Sequence, residues 1–460
     1  MKRTVRYVQP LLALILIASV LLSGCVPAAP PAPAAPAPAA ATKAPEAPKA
    51  AAPADKPVTI TIWGGFPELE PFYKYAAEQY KKEHPNVTVE IVTTSLREFE
   101  QKLSATIPAD TAADLIEISM YANQKFIEAG LIPELPANVK AFTEEKGRYT
   151  DFILKTNTFK GKRYGLPLFM GRTALYWNKA MFKEAGLDGP PTTFAQMAEY
   201  AKKLAKYDAN GVLTRSGHSL RLFGQGSGVA EKFWFVLYPM GGTILEEVNG
   251  KYKAGYNNDA GRKALKFYID AVYKDKWDSL EIKHDAEAFQ LGLTAMFFRE
   301  SNVIGTLAKQ APNLEYDTAA VPKDMRWGRI TNPVFLYVTR GSKNADVAWD
   351  FALFMVKPEM QAWMLDNVGW FPVRQDIDLT ASLNKKPPFK AFVMKDPGYD
   401  EYGYPVIGPF DEVATKLAER LVAAYANKSL LDNPAGIAKV LDDAAKETND
   451  ILKKAGLLAE

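Results

Sequence analysis

"VTITIWGGF" (58–66) alternates Val58, Ile60 and Ile62 with Thr59 and Thr61, then stops at the pair Gly64-Gly65. A period of two predicts a strand with two unlike faces. Leu69, Phe72, Ala76 and Tyr80 then recur at helical spacing until Pro85-Asn86 breaks the pattern. "VTVEIV" (87–92) reads as a second strand, Phe99, Leu103 and Ile107 mark a second helix, and "DLIEIS" (114–119) reads as a third strand. Strand–helix–strand–helix–strand implies a parallel sheet with right-handed crossovers. In such sheets a ligand sits beyond the carboxyl ends of the strands. Here those ends carry Trp63-Gly64-Gly65-Phe66, Thr94-Ser95 and Ser119-Met120-Tyr121.

Upstream of this start the chain is of another kind. Basic residues in 1–10 precede the apolar run "LLALILIASVLL" (11–22), too short to span a bilayer as an ordinary helix but suited to the core of a signal peptide. Leu22-Ser23-Gly24-Cys25 resembles the bacterial lipobox, in which the cysteine is acylated and becomes the new N-terminus; Cys25 is the only cysteine in the chain. A plain signal peptide or a short anchor is the alternative. Residues 26–57 are nearly all Ala and Pro, which cannot bury a core and stiffen toward an extended spacer. The expectation is a signal peptide over 1–24, a lipidated Cys25 with its linker over 25–57, and a folded body from Val58. That body would be moored outside the cytoplasmic membrane, at the cell surface or in a periplasm.

The remaining composition narrows the function. A chain of 460 residues with 48% hydrophobic and 24% charged residues suits a two-domain or bilobal α/β body. Its net charge of +3 is matched by Lys2, Arg3 and Arg6 of the leader, leaving a neutral body that argues against nucleic acid. One cysteine forbids an intrachain disulfide. His84, His218 and His284 lack metal-ligand spacing, so neither metal nor cofactor is expected. "DANG" (208–211) does not match a calcium loop, because Gly211 comes one place early and no Glu closes it.

Further along, "FKGKRYGLP" (159–167) predicts a hairpin, "ALYWN" (174–178) a strand, and Thr193-x-x-Gln196 a capping box opening a helix. Asn249-Gly250 marks a hairpin tip, and a helix is expected from Asn258 or Asp259. "AMFF" (295–298) and "VFLYV" (334–338) read as buried strands, Asn344 is expected to cap a helix through Met355, Pro358 starts another, and 411–458 is mostly helical.

The run from Gly161 to Leu204 resembles the central signature of the family 1 extracellular solute-binding proteins, the substrate receptors of carbohydrate-type ABC importers. It carries Gly161 to Pro167, Tyr176-Trp177-Asn178, Phe182 to Leu187 and Pro191-Thr192-Thr193-Phe194 in the family's order. Residues 294–323 and 339–376 fit as well, although Arg299-Glu300-Ser301 departs from the family's usual Gly-Asp/Ser-Trp. The resemblance implies two α/β lobes, 58–168 with about 325–372 and 169–324 with about 373–460. These would close by a hinge on a small polar solute and present it to the permease subunits of an importer.

A sugar site wants aromatic plates and side chains that pair hydroxyls. Trp63, Gly65, Phe66, Tyr121, Phe169, Arg172, Trp234, Glu300, Trp370 and Tyr402 are the candidates, each with a bland reading as core or salt bridge. "GQGSG" (224–228) lacks the spacing of a phosphate loop. Two alternatives stay open: a receptor for a non-sugar solute such as a glycerol phosphodiester, and a secreted carbohydrate-active hydrolase. Gly-x-Ser-x-Gly is absent, and the βαβ start does not resemble a barrel.

Overall fold

Residues 56–460 are described by the computed structural model; the leader, Cys25 and residues 26–55 lie outside them. β1 (Val58–Gly64) leads through α1 (Glu70–Glu83) to β2 (Val87–Thr93), and through α2 (Leu96–Thr106) to β3 (Leu115–Ser119). Both β2 and β3 run parallel to β1, one on each side of it. Alternation decides the burial here: Ile60 and Ile62 are buried while Thr59 is exposed. In β3 every residue is buried, Glu117 included. The helix α3 (Met120–Glu128) begins directly at the end of β3.

Beyond the parallel part, two long strands tie the molecule together. β4 (Leu166–Asn178) spans 13 residues, where the sequence marked only 174–178. After it come α4 (Gly228–Leu237), β5 (Met296–Glu300), α5 (Asn302–Gln310), β6 (Tyr316–Ala319) and β7 (Gly328–Val338). β7 likewise reaches back beyond the expected 334–338 and spans 11 residues. Their early halves hold Pro167, Gly171 and Pro333, poor strand formers, so local propensity hides what the tertiary ladder enforces. Leu166 to Arg172 pair with β7, whereas Thr173 to Trp177 pair with β5. Val334 to Val338 pair with β3, while Gly328 to Ile330 pair with the short strand Asp400–Tyr402. The sheet order is therefore β5-β4-β7-β3-β1-β2. A bulge at Val334/Phe335 falls opposite Leu168, where the register slips by one.

Packing follows two clusters. One sets Ile60, Ile62, Phe72 and Tyr73 against Leu336, Phe351 and Trp370. The other runs from Phe99 and Ile116 through Tyr176 to the two closing helices α6 (Phe410–Tyr425) and α7 (Pro434–Lys454). Two expected caps form: Thr193 Oγ1 accepts from the Gln196 N–H at 3.1 Å and Asn258 Oδ1 from the Gly261 N–H at 3.0 Å, whereas Asn344 makes no side-chain cap because its amide donates to the Thr59 carbonyl at 3.1 Å instead. Among the described residues no helix is long and apolar enough to cross a membrane.

Candidate functional site

The carboxyl ends of β1, β2 and β3 open onto one cavity of about 280 Å³. After β1 come Phe66 and Glu68, after β2 Ser95, Leu96 and Arg97, and after β3 Ser119 and Tyr121. The facing wall is built from Phe169 and Gly171 of β4, from Ile330, Asn332 and Val334 of β7, and from Trp370 and Tyr404. Arg221 lies ahead of α4, which adds Gly228, Glu231 and Lys232; Arg299, Glu300 and Asn302 sit where β5 passes into α5. The site thus lies where the topology of a parallel sheet places it.

The loop after β1 is shaped by its glycines. A Cβ on Gly65 would come within 2.7 Å of the Phe99 ring, so only glycine lets the loop lie on α2 and send Phe66 forward. Below it, Glu117 accepts from the Gly65 N–H at 3.4 Å and from the Tyr73 hydroxyl. Burial pushes the Glu117 carboxyl well above its usual range, against the pull of these two donors.

Three aromatic rings make one corner. Phe66 meets Phe169 edge-on at 5.3 Å and Trp370 at 5.7 Å, and Phe169 lies 4.7 Å from Trp370. Gly369, at φ +98°, turns the chain out of the helix Pro358–Asn367 so that Trp370 reaches this corner. The Ser301 hydroxyl holds the same turn through the Gly369 carbonyl at 2.7 Å.

Charges line the rest, and they come in opposed sets. Lys232 Nζ and Arg299 Nε each lie 3.3 Å from a different oxygen of Glu300. Arg299 also faces Asp285 at 3.4 Å. Arg97 donates to Ser227 Oγ at 2.7 Å and lies 2.7 Å from Glu100 and 3.4 Å from Glu231. Asn302 donates to Glu68 at 2.8 Å. Burial lowers the Lys232 ammonium below its usual range, with Glu300 opposing. Burial would raise Glu300, but Lys232 and Arg299 outweigh it and hold the carboxylate low. Burial pushes Glu100 up to about 7 even though Arg97 pulls the other way.

Of the residues expected from the sequence, Phe66, Tyr121, Phe169, Glu300 and Trp370 are on the cavity wall. Trp63, Gly65, Arg172, Trp234 and Tyr402 are not. Trp63 alternates to the α2 side of β1, where the Lys102 ammonium sits 3.3 Å from its ring centre. Gly65 stands behind Phe66. Arg172 is buried beside Glu401 at 2.9 Å, the salt-bridge reading of that residue. Trp234 and Tyr402 back the wall rather than form it: Trp234 packs on Tyr402 at 5.3 Å and on Tyr404 at 5.8 Å, and Tyr402 stacks on Tyr238 at 3.6 Å. Sequence reasoning missed Arg97, Arg221, Glu231, Lys232, Asn302 and Asn332. Arg97 had a signal, since it follows Ser95 at the end of β2. The others come from a loop, two helices and a strand far apart in the chain, whose convergence only the fold creates.

Residues 75–391 match the model of a family described as bacterial extracellular solute-binding protein. The chain belongs to that family. A binding protein of Brucella abortus is 26% identical over 392 residues, covering 84% of this chain and 90% of its own length. Among solved structures, an ABC transporter solute-binding protein of Thermotoga lettingae bound with α-D-tagatose shares 22% identity. It has a TM-score of 0.74 over 86% of this chain and 99% of that one. A Mycobacterium tuberculosis protein in complex with glycerophosphocholine shares 18% identity, with a TM-score of 0.73 over 86% and 99%. The fold of this solute-binding protein is accordingly the two-lobed α/β fold of these receptors.

Proposed function

We propose that this solute-binding protein takes up an uncharged, hydroxyl-rich solute, a sugar or short oligosaccharide, and delivers it unchanged to the permease of an ABC importer. The observation that carries the reading is the juxtaposition on one wall of the Phe66–Phe169–Trp370 corner and a set of cations each of which faces a carboxylate. Aromatic faces suit the C–H faces of a sugar ring, and ionised side chains make the strongest hydrogen bonds to hydroxyls. Arg97, Arg221, Lys232 and Arg299 are opposed by Glu68, Glu231 and Glu300 on the wall and by Glu100 and Asp285 behind it. A neutral solute exchanges hydrogen bonds with such a set without adding charge. A phosphodiester would need the cations free. The glycerol phosphodiester reading is favoured by one feature, Arg221, whose nearest carboxylate is Asp285 at 3.9 Å.

On this reading residues 58–168 with 325–372 and 169–324 with 373–460 close on the solute, and a lipid on Cys25 keeps the receptor beside its permease. Phe66, Tyr121, Phe169, Glu300 and Trp370 are the proposed contacts. Isothermal titration against neutral sugars, glycerophosphodiesters and buffer decides among the readings, with chromatography of the recovered solute. Saturable binding of a sugar recovered intact is the expected result. Binding of the phosphodiester alone, or recovery of cleaved sugar, would overturn it.

A further inference from the structure

A second cavity of about 60 Å³ adjoins the first and shares Tyr121, Asn332 and Tyr404 with it. At ~10–15 Å³ for each water-sized occupant, it has room for roughly four non-hydrogen atoms, too few for a sugar ring but enough for a side arm. Tyr121 and Tyr404, their ring centroids 4.8 Å apart, line both spaces.

The small cavity has a mixed lining. Met120, Phe152, Pro333 and Val406 are apolar; Thr156, Thr331 and Asn332 are polar. Thr331 is fully buried, and its hydroxyl has no hydrogen-bond partner among the described residues. A buried hydroxyl is rarely left without one. Thr156 donates to the Phe152 carbonyl at 2.8 Å, which leaves its oxygen lone pairs free to accept. Asn332 lies on the shared wall and carries both a donor and an acceptor.

These features select among arms. A carboxylate or phosphate finds no cationic side chain in this lining, and an ammonium finds no carboxylate. An alkyl arm would leave Thr331 unpaired. A single hydroxyl would leave the apolar side wet. An acetamido group meets every demand: its methyl faces Phe152, Met120 and Val406, its carbonyl accepts from Thr331, and its N–H donates to Thr156 or Asn332. We propose that this cavity is a specificity subsite for the acetamido arm of an N-acetylated sugar whose ring occupies the main cavity. The proposal rests on the sugar reading above.

The test is titration calorimetry on the folded body with matched pairs: N-acetylglucosamine against glucose, N-acetylgalactosamine against galactose, N-acetylmannosamine against mannose, and the corresponding disaccharides. In at least one pair the N-acetyl member is expected to bind tenfold tighter or more. Thr331→Val, which keeps the shape and removes the hydroxyl, should cut that preference several-fold and leave the plain sugar's affinity unchanged. Val406→Phe, which fills the space, should abolish the preference, with the melting temperature of each variant reporting an intact fold. Equal affinity within every pair overturns the subsite while leaving the sugar reading intact, as does a Thr331→Val change that weakens both members alike. If no sugar of either kind binds, the sugar reading fails and the subsite with it.

Discussion

Arg172 illustrates what a single residue can and cannot disclose. The sequence offered it as a solute contact or as half of a salt bridge, and the structure sets it against Glu401 rather than on the cavity wall. Burial lowers its guanidinium to about 10, with Glu401 pulling up and Arg329 pushing down. Arg329 is buried more deeply and shares the same carboxylate at 2.9 Å. It also donates to the carbonyls of Ala391 and Met394. One carboxylate thus serves two buried cations on the two long strands. Glu401→Gln leaves both without a counter-charge. It should cost on the order of 3 kcal/mol, toward the low end for a buried pair because Glu401 keeps some exposure, read as a lower urea midpoint. An unchanged midpoint would deny the cluster a structural role. Glu100 supplies a pH-dependent counterpart. Its folded value of about 7 lies above its ordinary 4.5, so its contribution is full below pH ~4.5 and is lost as pH rises through 7. Glu100→Gln should remove that loss, and the variant should gain on the parent across pH 4.5–7 by on the order of 2–3 kcal/mol. A stability difference flat with pH would contradict this. The Glu401 set was not legible in the sequence, because it joins segments far apart in the chain; Arg97 and Glu100 stand only three residues apart on α2, and what the sequence hid there is their burial. The aromatic candidates Phe66 and Tyr121 were legible, because strand ends in a parallel sheet fix where such residues emerge.

At the scale of elements, the parallel start was readable because alternation and helical spacing are local. The two long strands were readable only in their later halves, "ALYWN" and "VFLYV", which are nearly continuous runs of apolar and aromatic residues. Their early halves are held by partners far away in the chain, that of β4 by β7 and the start of β7 by Asp400–Tyr402, and such pairing has no signature in either segment alone. A similar long-range constraint fixes α5. A Cβ on Gly305 would come within 2.2 Å of the Val368 carbonyl oxygen, so this helix crosses the 368–370 turn in contact with its backbone. Gly305→Ala cannot be absorbed by a flexible side chain and should destabilise by about 1–3 kcal/mol, as overpacking does. Because the same turn carries Trp370 and α5 carries Asn302, the substitution should also weaken solute binding, whereas a change at exposed Lys309 should do neither. Thermal melts and titrations on the two variants separate these outcomes. A Gly305→Ala protein with wild-type affinity would show that Trp370 and Asn302 tolerate movement of the helix.

For the whole molecule, two contacts bridge the cavity's rims. On one side Arg97, from the α2 end of the parallel half, reaches Ser227 and Glu231 at the start of α4. On the other, Asn302 of α5 reaches Glu68 after β1. A receptor that signals occupancy by closing needs its bound form favoured through contacts the open form lacks. On the lobe division proposed above, both contacts cross from one lobe to the other and so qualify. If the two lobes part when the solute leaves, Arg97→Ala removes a charge-assisted bond from the closed form only. If closure traps the solute, affinity should fall roughly tenfold, about 1.4 kcal/mol, and the fall should appear in the dissociation rate, with association nearly unchanged. Stopped-flow fluorescence of the cavity tryptophan would measure both rates, and small-angle scattering would show the ligand-induced contraction shrinking in the variant. A loss confined to the association rate would mean that Arg97 steers the solute inward instead of holding the halves together, and the latch would have to be sought in Asn302 and Glu68 alone.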